Sequence, residues 1–217
     1  MRLQLNRILA PVTVLGYGQR IGLWVQGCGI ACPGCASVDT WEPSGGESRD
    51  VDGLAAQVVR EIISRRLVGV TLTGGEPTDQ APQLELLVLK VREYLSVAGY
   101  EAPVDVLLFT GRPARAAAAR AAGLWKLLDA AVCGPYRRDE PGEEPLLASA
   151  NQELVLLSPL AAERYSRSDD VARLQVVSED GQLLIVGLPR PGDLDRFESL
   201  LCKRGVSMRG NSWRVTT

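Results

Sequence analysis

Five cysteines occur in the 217-residue chain, and three of them crowd into Gly27-Cys28-Gly29-Ile30-Ala31-Cys32-Pro33-Gly34-Cys35. Three thiolates spaced x3 and x2 on one short loop can grip three corners of a cubane iron–sulfur cluster. Gly29, Pro33 and Gly34 let the backbone wrap closely around it. Three protein ligands leave one iron open, and an open metal position is where cofactor or substrate chemistry happens. The competing reading is a zinc knuckle with Cys133 or Cys202 as a lone fourth ligand, whereas such sites usually pair two cysteines with a second Cys or His pair. An odd cysteine count in this arrangement suits a metal framework better than a disulfide framework.

The chain has no histidine. A Ser-His-Asp triad, a Cys-His dyad, a His-ligated zinc and an imidazole base are therefore excluded within this chain. The formal net charge is −2, from 24 basic and 26 acidic residues, so no basic excess points to nucleic acid. The N-terminus lacks a continuous apolar run, so no signal peptide is expected, and no stretch approaches the roughly 18 apolar residues of a membrane span. A cytoplasmic protein with reduced thiols is expected.

The remaining pattern describes the elements that must carry the loop. Ile21–Val25 reads as a strand delivering the chain to Cys28, and residues 27–48 read as loop. Asp52 is expected to cap a helix running to about Arg66, with Leu54, Val58 and Ile62 on its apolar face. A strand over Val68–Thr73 stops at Gly74-Gly75, and a helix follows from about Pro82 to Ala98. Strands are expected at Val104–Phe109, Ala130–Cys133 and Glu153–Leu157, with a helix at Pro113–Ala122 ended by Gly123. This alternation predicts an α/β fold of parallel strands with helical crossovers. About five strands are too few for a closed eight-stranded barrel, so an open, partial barrel or a doubly wound sheet fits. The tail differs. A hairpin around Glu179-Asp180-Gly181-Gln182, a helix over Leu194–Lys203 and a strand over Ser212–Thr216 make a small C-terminal ββαβ appendage, with Ser166–Asp170 as linker. Cys133 and Cys202 read as core residues. Arg20 and Arg112 each read as surface charge or as a partner for a carboxylate or phosphate, with surface charge the preferred reading of Arg112. Asp129 reads as a substrate-end group or a capped loop residue.

Taken together, these motifs resemble a family. Cys-x3-Cys-x2-Cys after a first strand is similar to the signature of radical S-adenosylmethionine (SAM) enzymes. Gly16-Tyr17-Gly18-Gln19-Arg20 and Trp24-Val25-Gln26-Gly27-Cys28 resemble the entry to the cluster loop in activating enzymes of glycyl-radical proteins. Cys32-Pro33-Gly34-Cys35 with Thr40-Trp41 looks most like the activating proteins of anaerobic ribonucleotide reductases. Thr73-Gly74-Gly75-Glu76-Pro77, Phe109-Thr110-Gly111, Gly134-Pro135-Tyr136 and Ser149-Ala150-Asn151-Gln152 resemble later family segments in order. The chain departs at Cys133, where an acidic residue is common, at Arg112, where an aromatic is usual, and mildly at Gly34.

The resemblance implies a radical SAM core over residues 1–165, an open parallel α/β barrel, with residues 171–217 appended. It implies a 4Fe-4S cluster on Cys28, Cys32 and Cys35, with SAM chelating the open iron. Gly74, Gly75, Glu76, Pro77, Thr110, Gly111, Asn151 and Gln152 would bind SAM. The implied act is reductive cleavage of SAM to a 5′-deoxyadenosyl radical that activates a glycyl-radical-type partner, with electrons from a flavodoxin or ferredoxin. The alternatives are a radical SAM enzyme acting on a peptide, nucleotide or other small molecule, and a non-catalytic Fe–S or zinc protein.

Overall fold

The computed structural model describes residues 1–166, 172–179 and 182–206. Seven strands form one sheet: β1 (Arg2–Val12), β2 (Arg20–Val25), β3 (Glu47–Asp50), β4 (Gly69–Gly74), β5 (Asp105–Thr110), β6 (Ala130–Cys133) and β7 (Glu153–Leu156). The spatial order is β3-β1-β2-β4-β5-β6-β7. Strands β2, β4, β5 and β6 are mutually parallel. The helices joining them are α1 (Val51–Arg65), α2 (Ala81–Val97), α3 (Ala114–Arg120) and α4 (Ala122–Trp125). The expected parallel α/β alternation thus forms the centre of the sheet.

The sheet's edges differ from expectation. β7 runs antiparallel to β6. Residues 134–152 return as a loop, so β7 is entered beside the carboxyl end of β6 and must run back; a helical crossover would have restored the parallel sense. β1 and β3 pair antiparallel beyond β2. The sequence Glu47-Ser48-Arg49-Asp50 of β3 is wholly polar, so as a short edge strand it carries no apolar alternation to announce it.

Alternation of side chains divides the interior in two. Ile21, Leu23, Val25, Val70, Leu72, Val106, Leu108, Ala131 and Cys133 point to the face covered by α1, α2 and α4. Trp24, Leu107, Phe109, Ala130 and Val132 point to the other face, which is filled by loop residues and by α5 (Pro159–Tyr165). Asp50, not Asp52, caps α1, accepting from the backbone N–H groups of Asp52 and Gly53 at 3.1 Å each. Asp52 turns instead to Lys90 and Tyr94 on α2. Gly123 lies inside α4 rather than ending a helix.

Beneath the sheet's amino end sits a buried ion cluster. Both guanidinium nitrogens NH1 and NH2 of Arg20 donate to the Asp105 carboxylate at 3.0 and 2.8 Å, and Nε donates to Thr71 Oγ1 at 2.8 Å. Arg164 of α5 also donates to Asp105, as does the Tyr165 hydroxyl at 2.9 Å. Arg20 and Asp105 side chains are fully buried, so Arg20 is an interior clamp rather than surface charge.

In the tail, β8 (Leu174–Glu179) and β9 (Gln182–Gly187) form the expected antiparallel hairpin, followed by α6 (Asp193–Lys203). The Asp180-Gly181 turn, residues 167–170 of the expected linker, and the expected strand Ser212–Thr216 lie outside the described residues. Cys202 is exposed, not core, because α6 buries no side chain fully. Among the described residues, no helix is long and apolar enough to cross a membrane.

Candidate active site

The parallel strands end together at a cavity of about 690 Å³. Ligands of parallel sheets bind at this carboxyl edge, where loops diverge and backbone groups are free. Cys28, Cys32 and Cys35 line the cavity at the end of β2. Gly74, Gly75 and Glu76 come from the end of β4, and Thr110 and Gly111 from the end of β5. Gln152 also reaches the lining, whereas Pro77 and Asn151 do not.

The cysteine loop is tied down by backbone hydrogen bonds. Gly27 N–H donates to Thr40 O at 2.7 Å and Cys28 N–H to Trp41 O at 3.0 Å, so the segment after the cysteines folds back on the segment before them. Cys35 N–H donates to Cys32 O at 3.1 Å. Ala31 has φ 47°, a conformation that costs a non-glycine residue energy. At Gly29 a side chain would meet no other protein atom within 4 Å.

The double glycine has a direct steric cause. Gly74 has φ +101°, and a Cβ there would come within 2.6 Å of Val25 N. A Cβ on Gly75 would run into the Gly27 carbonyl. Bare backbone at both positions lets Gly75 N–H donate to Val25 O and Glu76 N–H to Gly27 O, each at 2.8 Å. The end of β4 is thereby sewn to the root of the cysteine loop.

Glu76 is a hub. Its Oε1 accepts from Thr78 N–H (3.0 Å), Thr78 Oγ1 (2.6 Å) and Thr110 Oγ1 (2.7 Å), and its Oε2 accepts from Gly111 N–H (3.0 Å). It is buried and joins the ends of β4 and β5. Glu76→Gln sets an amide N–H against a donor it now accepts from. The expected loss is about 2 kcal/mol of unfolding free energy, read from urea denaturation.

Other predicted residues serve the frame. Gln152 Oε1 accepts from Ala148 and Ser149 N–H, and its Nε2 donates to Gly134 O. Asn151 Nδ2 donates to Pro135 O. Together they fasten the Gly134-Pro135-Tyr136 turn beside the cysteines. Arg112 is not loose surface charge; it donates to Thr78 Oγ1 and Asp79 at the outer edge of the Glu76 network. Asp129 lies at the opposite end of the sheet, where it accepts from Val106 N–H and Ser158 Oγ.

Burial pushes the Cys32 and Cys35 thiols above the ordinary thiol range. The thiolate form is helped by N–H donors: Ser37 N–H lies 3.4 Å from Cys35 Sγ, the Trp41 side chain also faces that sulfur, and Tyr136 N–H faces Cys32. Among the described residues, no three Cys, Asp or Glu side chains converge as closely as a single metal ion requires. The three thiols sit within electrostatic reach of each other around one cavity, and as an all-sulfur, soft donor set they suit the iron of an iron–sulfur cluster. Cys133 is apart from them in the core, and burial raises its thiol to about 12. We expect iodoacetamide at pH 8 to modify exposed Cys202 and to leave Cys133 untouched until the protein unfolds, as read by peptide mass mapping.

Two contributors escape sequence reasoning. Arg138 comes from the loop that follows the Gly134-Pro135-Tyr136 segment, and residues 187–195 come from the tail. The glycines and prolines of Gly187-Leu188-Pro189-Arg190-Pro191-Gly192 mark an irregular segment, but nothing local says that it returns to the cysteines.

Comparison with known proteins fits this geometry. The family model described as a 4Fe-4S single cluster domain matches residues 14–155, well over half of the chain. Pyruvate formate-lyase-activating enzymes of Staphylococcus aureus strains USA300, NCTC 8325 / PS 47 and COL are 39% identical over 87 residues, covering 37% of this chain and 34% of theirs. The chain thus spans about a third of the length of the curated relatives it matches. With its three thiols gathered at the carboxyl edge of a parallel sheet, the chain belongs to the 4Fe-4S single cluster domain family and is a radical SAM activating-enzyme-like protein.

Proposed function

We propose that the protein is a radical SAM enzyme whose cluster is held by Cys28, Cys32 and Cys35, and that it activates a partner protein by glycyl-radical formation. One observation carries the reading: three thiols, the Gly74-Gly75 strand end and the Glu76 hub all border one cavity. When bound, the cluster and SAM supply a 5′-deoxyadenosyl radical that removes a hydrogen atom from the substrate. The chain's own residues bind and shield. Gly74 and Gly75 keep the lining flat, so that the strand end can present backbone carbonyls to the methionine end of SAM. Glu76 acts on that lining through Thr110 and Gly111, which it holds in place, and Gln152 fixes the Gly134 turn on the far side.

In this reading the sheet is the open barrel of the family. Its helices on one face and loop-filled interior on the other support that, as does the absence of a helical crossover between β6 and β7. Residues 1–165 are then the core and 171–217 the appendage. A flavodoxin or ferredoxin would supply the electron, in the cytoplasm. The test is anaerobic reconstitution, iron and sulfide analysis, dithionite reduction and an assay for 5′-deoxyadenosine. About four irons per chain and deoxyadenosine production are expected; one zinc per chain, or an intact cluster that leaves SAM uncleaved, overturns the reading. A second reading, hydrogen abstraction from a peptide, nucleotide or other small molecule, is favoured by residues 187–195, which wall part of the cavity that a large partner's loop would enter.

A further inference from the structure

The cavity holds two arginines that, among the described residues, take part in no ion pair. Two carboxylates line it, Glu76 and Asp195. Glu76 is saturated by four donors, and Asp195 is itself partnered. Two guanidinium groups, Arg138 and Arg190, also line it. Among the described residues neither side chain forms an ion pair, while the neighbouring Arg137 pairs with Glu140.

Both arginines stand on anchored backbone. Arg138 lies alongside the cysteine loop, its Cδ 3.1 Å from the point a Gly34 side chain would occupy. Its loop is held by Gly134 N–H donating to Thr110 O and by Arg137 N–H donating to Ser149 Oγ, each at 3.1 Å. Arg190 lies between Pro189 and Pro191, which restrict the backbone on either side. The base of that segment is bolted to the core. Arg173 donates to Leu188 O (3.3 Å), Glu144 O (2.9 Å) and Leu147 O (3.1 Å). Gln175 accepts from Thr13 N–H and donates to Pro11 O, each at 2.9 Å. Val186 is buried against Val12, Val14 and Trp24. Burial first, and the nearby Arg190 charge second, hold the Arg173 guanidinium below its ordinary value, with Asp193 opposing them.

We propose that Arg138 and Arg190 bind an anionic group of the substrate, a carboxylate or a phosphate, with residues 187–195 as the wall that presents it to the cavity. This rests on the reading that the cavity is the site of SAM chemistry. Guanidinium groups suit planar or multi-oxygen anions because several N–H donors can be shared at once. Guanidinium groups without an ion-pair partner at a partly enclosed mouth are also free to meet such an anion as it docks. The tail is then a selectivity element built onto a cluster-binding core.

The test is equilibrium binding to the cluster-loaded, SAM-bound protein. The probes are tripolyphosphate and two glycine-containing hexapeptides of equal length, one with two aspartates and one with two asparagines. R138Q and R190Q are compared with R204Q, which removes an equal charge at the end of α6, outside the lining. Saturable binding of tripolyphosphate or of the acidic peptide is expected, and whichever binds tells a phosphate source from a carboxylate one. Each lining variant should weaken it roughly tenfold, with R204Q unchanged and binding falling as salt rises. Equal weakening by R204Q, binding of the neutral peptide as tightly as the acidic one, no saturable binding of either anion, or loss of SAM affinity in R138Q and R190Q with anion binding retained would each overturn the proposal. A protein that binds anions but never forms deoxyadenosine defeats the functional reading instead, and one that forms deoxyadenosine but binds no anion defeats this one alone.

Discussion

Serine in place of any one of Cys28, Cys32 or Cys35 is expected to bring iron from about four per chain to near zero and to abolish deoxyadenosine formation. Serine is nearly isosteric, but its hydroxyl is a hard, weakly acidic donor, and iron–sulfur clusters select soft thiolate. The loss should be nearly complete for each residue because a cluster with three protein ligands has none to spare. The loop has no substitute sulfur: Cys133 is buried in the core on β6, and Cys202 is exposed on α6. Cys133→Ser and Cys202→Ser are therefore expected to retain full iron. Iron analysis with the brown absorbance of the reconstituted protein checks both halves. Retention of the cluster by one of the loop variants would remove that residue from the ligand set.

The second large effect is on stability. Asp105→Ala should destabilise the protein by about 3–5 kcal/mol, because it strands Arg20 and Arg164 in the interior without a counter-charge. Arg20 would keep the Thr71 hydroxyl and the Val70 carbonyl, and Arg164 the carbonyls of Val68 and Pro103, but no anion would remain between them. Burial already holds the Tyr165 phenol above its ordinary value, so it stays a donor to the carboxylate rather than becoming an anion that could replace it. The cost is that of an uncompensated buried charge, not the net value of the cluster. A triple variant, Arg20→Met, Asp105→Leu and Arg164→Met, should accordingly recover part of the loss. Urea unfolding of the single and triple variants separates the two; a single variant within about 1 kcal/mol of wild type would show that water reaches the site and screens it.

These two effects lie at opposite ends of the same strands. Arg20 opens β2 and Asp105 opens β5, while the cysteine loop leaves β2 and Thr110 closes β5. The ion cluster fixes β2 and β5 on either side of β4, and the Glu76 hub fixes the ends of β4 and β5 below the cavity. The distance between the cysteine loop and the Gly74-Gly75 strand end is therefore set by bonding at both ends of the sheet. Tail residues add a third constraint through Arg173 and Gln175.

How much of this was legible depended on range. Helix α2 and strands β4, β5 and β6 follow local periodicity, because a side chain's burial there is decided by neighbours three, four or two positions away. Strand β3 was not legible, since Glu47–Asp50 owes its state to pairing with Arg2–Leu5 rather than to its own side chains. The direction of β7 was not legible either, because it depends on the path of an irregular loop. Of the two readings of Asp129, the structure has the loop residue and not the substrate-end group, since a carboxylate at the start of a strand and one at its end look alike in sequence. Cys202 sits among Leu200 and Leu201, which reads as core, yet Leu200 is exposed and nothing covers that face of α6 among the described residues.

The sequence by itself determined the cysteine loop and the chemistry open to it. Three thiols within eight positions stay close however the rest of the chain folds, and the lack of histidine holds in any fold. It also offered the glycine pair as a turn signal at the end of β4, whereas the need for bare backbone there comes from the close approach of Val25 and Gly27. Only the tertiary structure decided what surrounds the loop: that Glu76 is saturated by internal donors, that Arg20 is buried, and that Arg190, more than 150 residues from Cys35, stands at the same cavity. The reason is physical. Metal-ligand spacing is a property of a short segment with few degrees of freedom, whereas the walls of a cavity are set by contacts between segments whose separation in sequence carries no information about their distance in space.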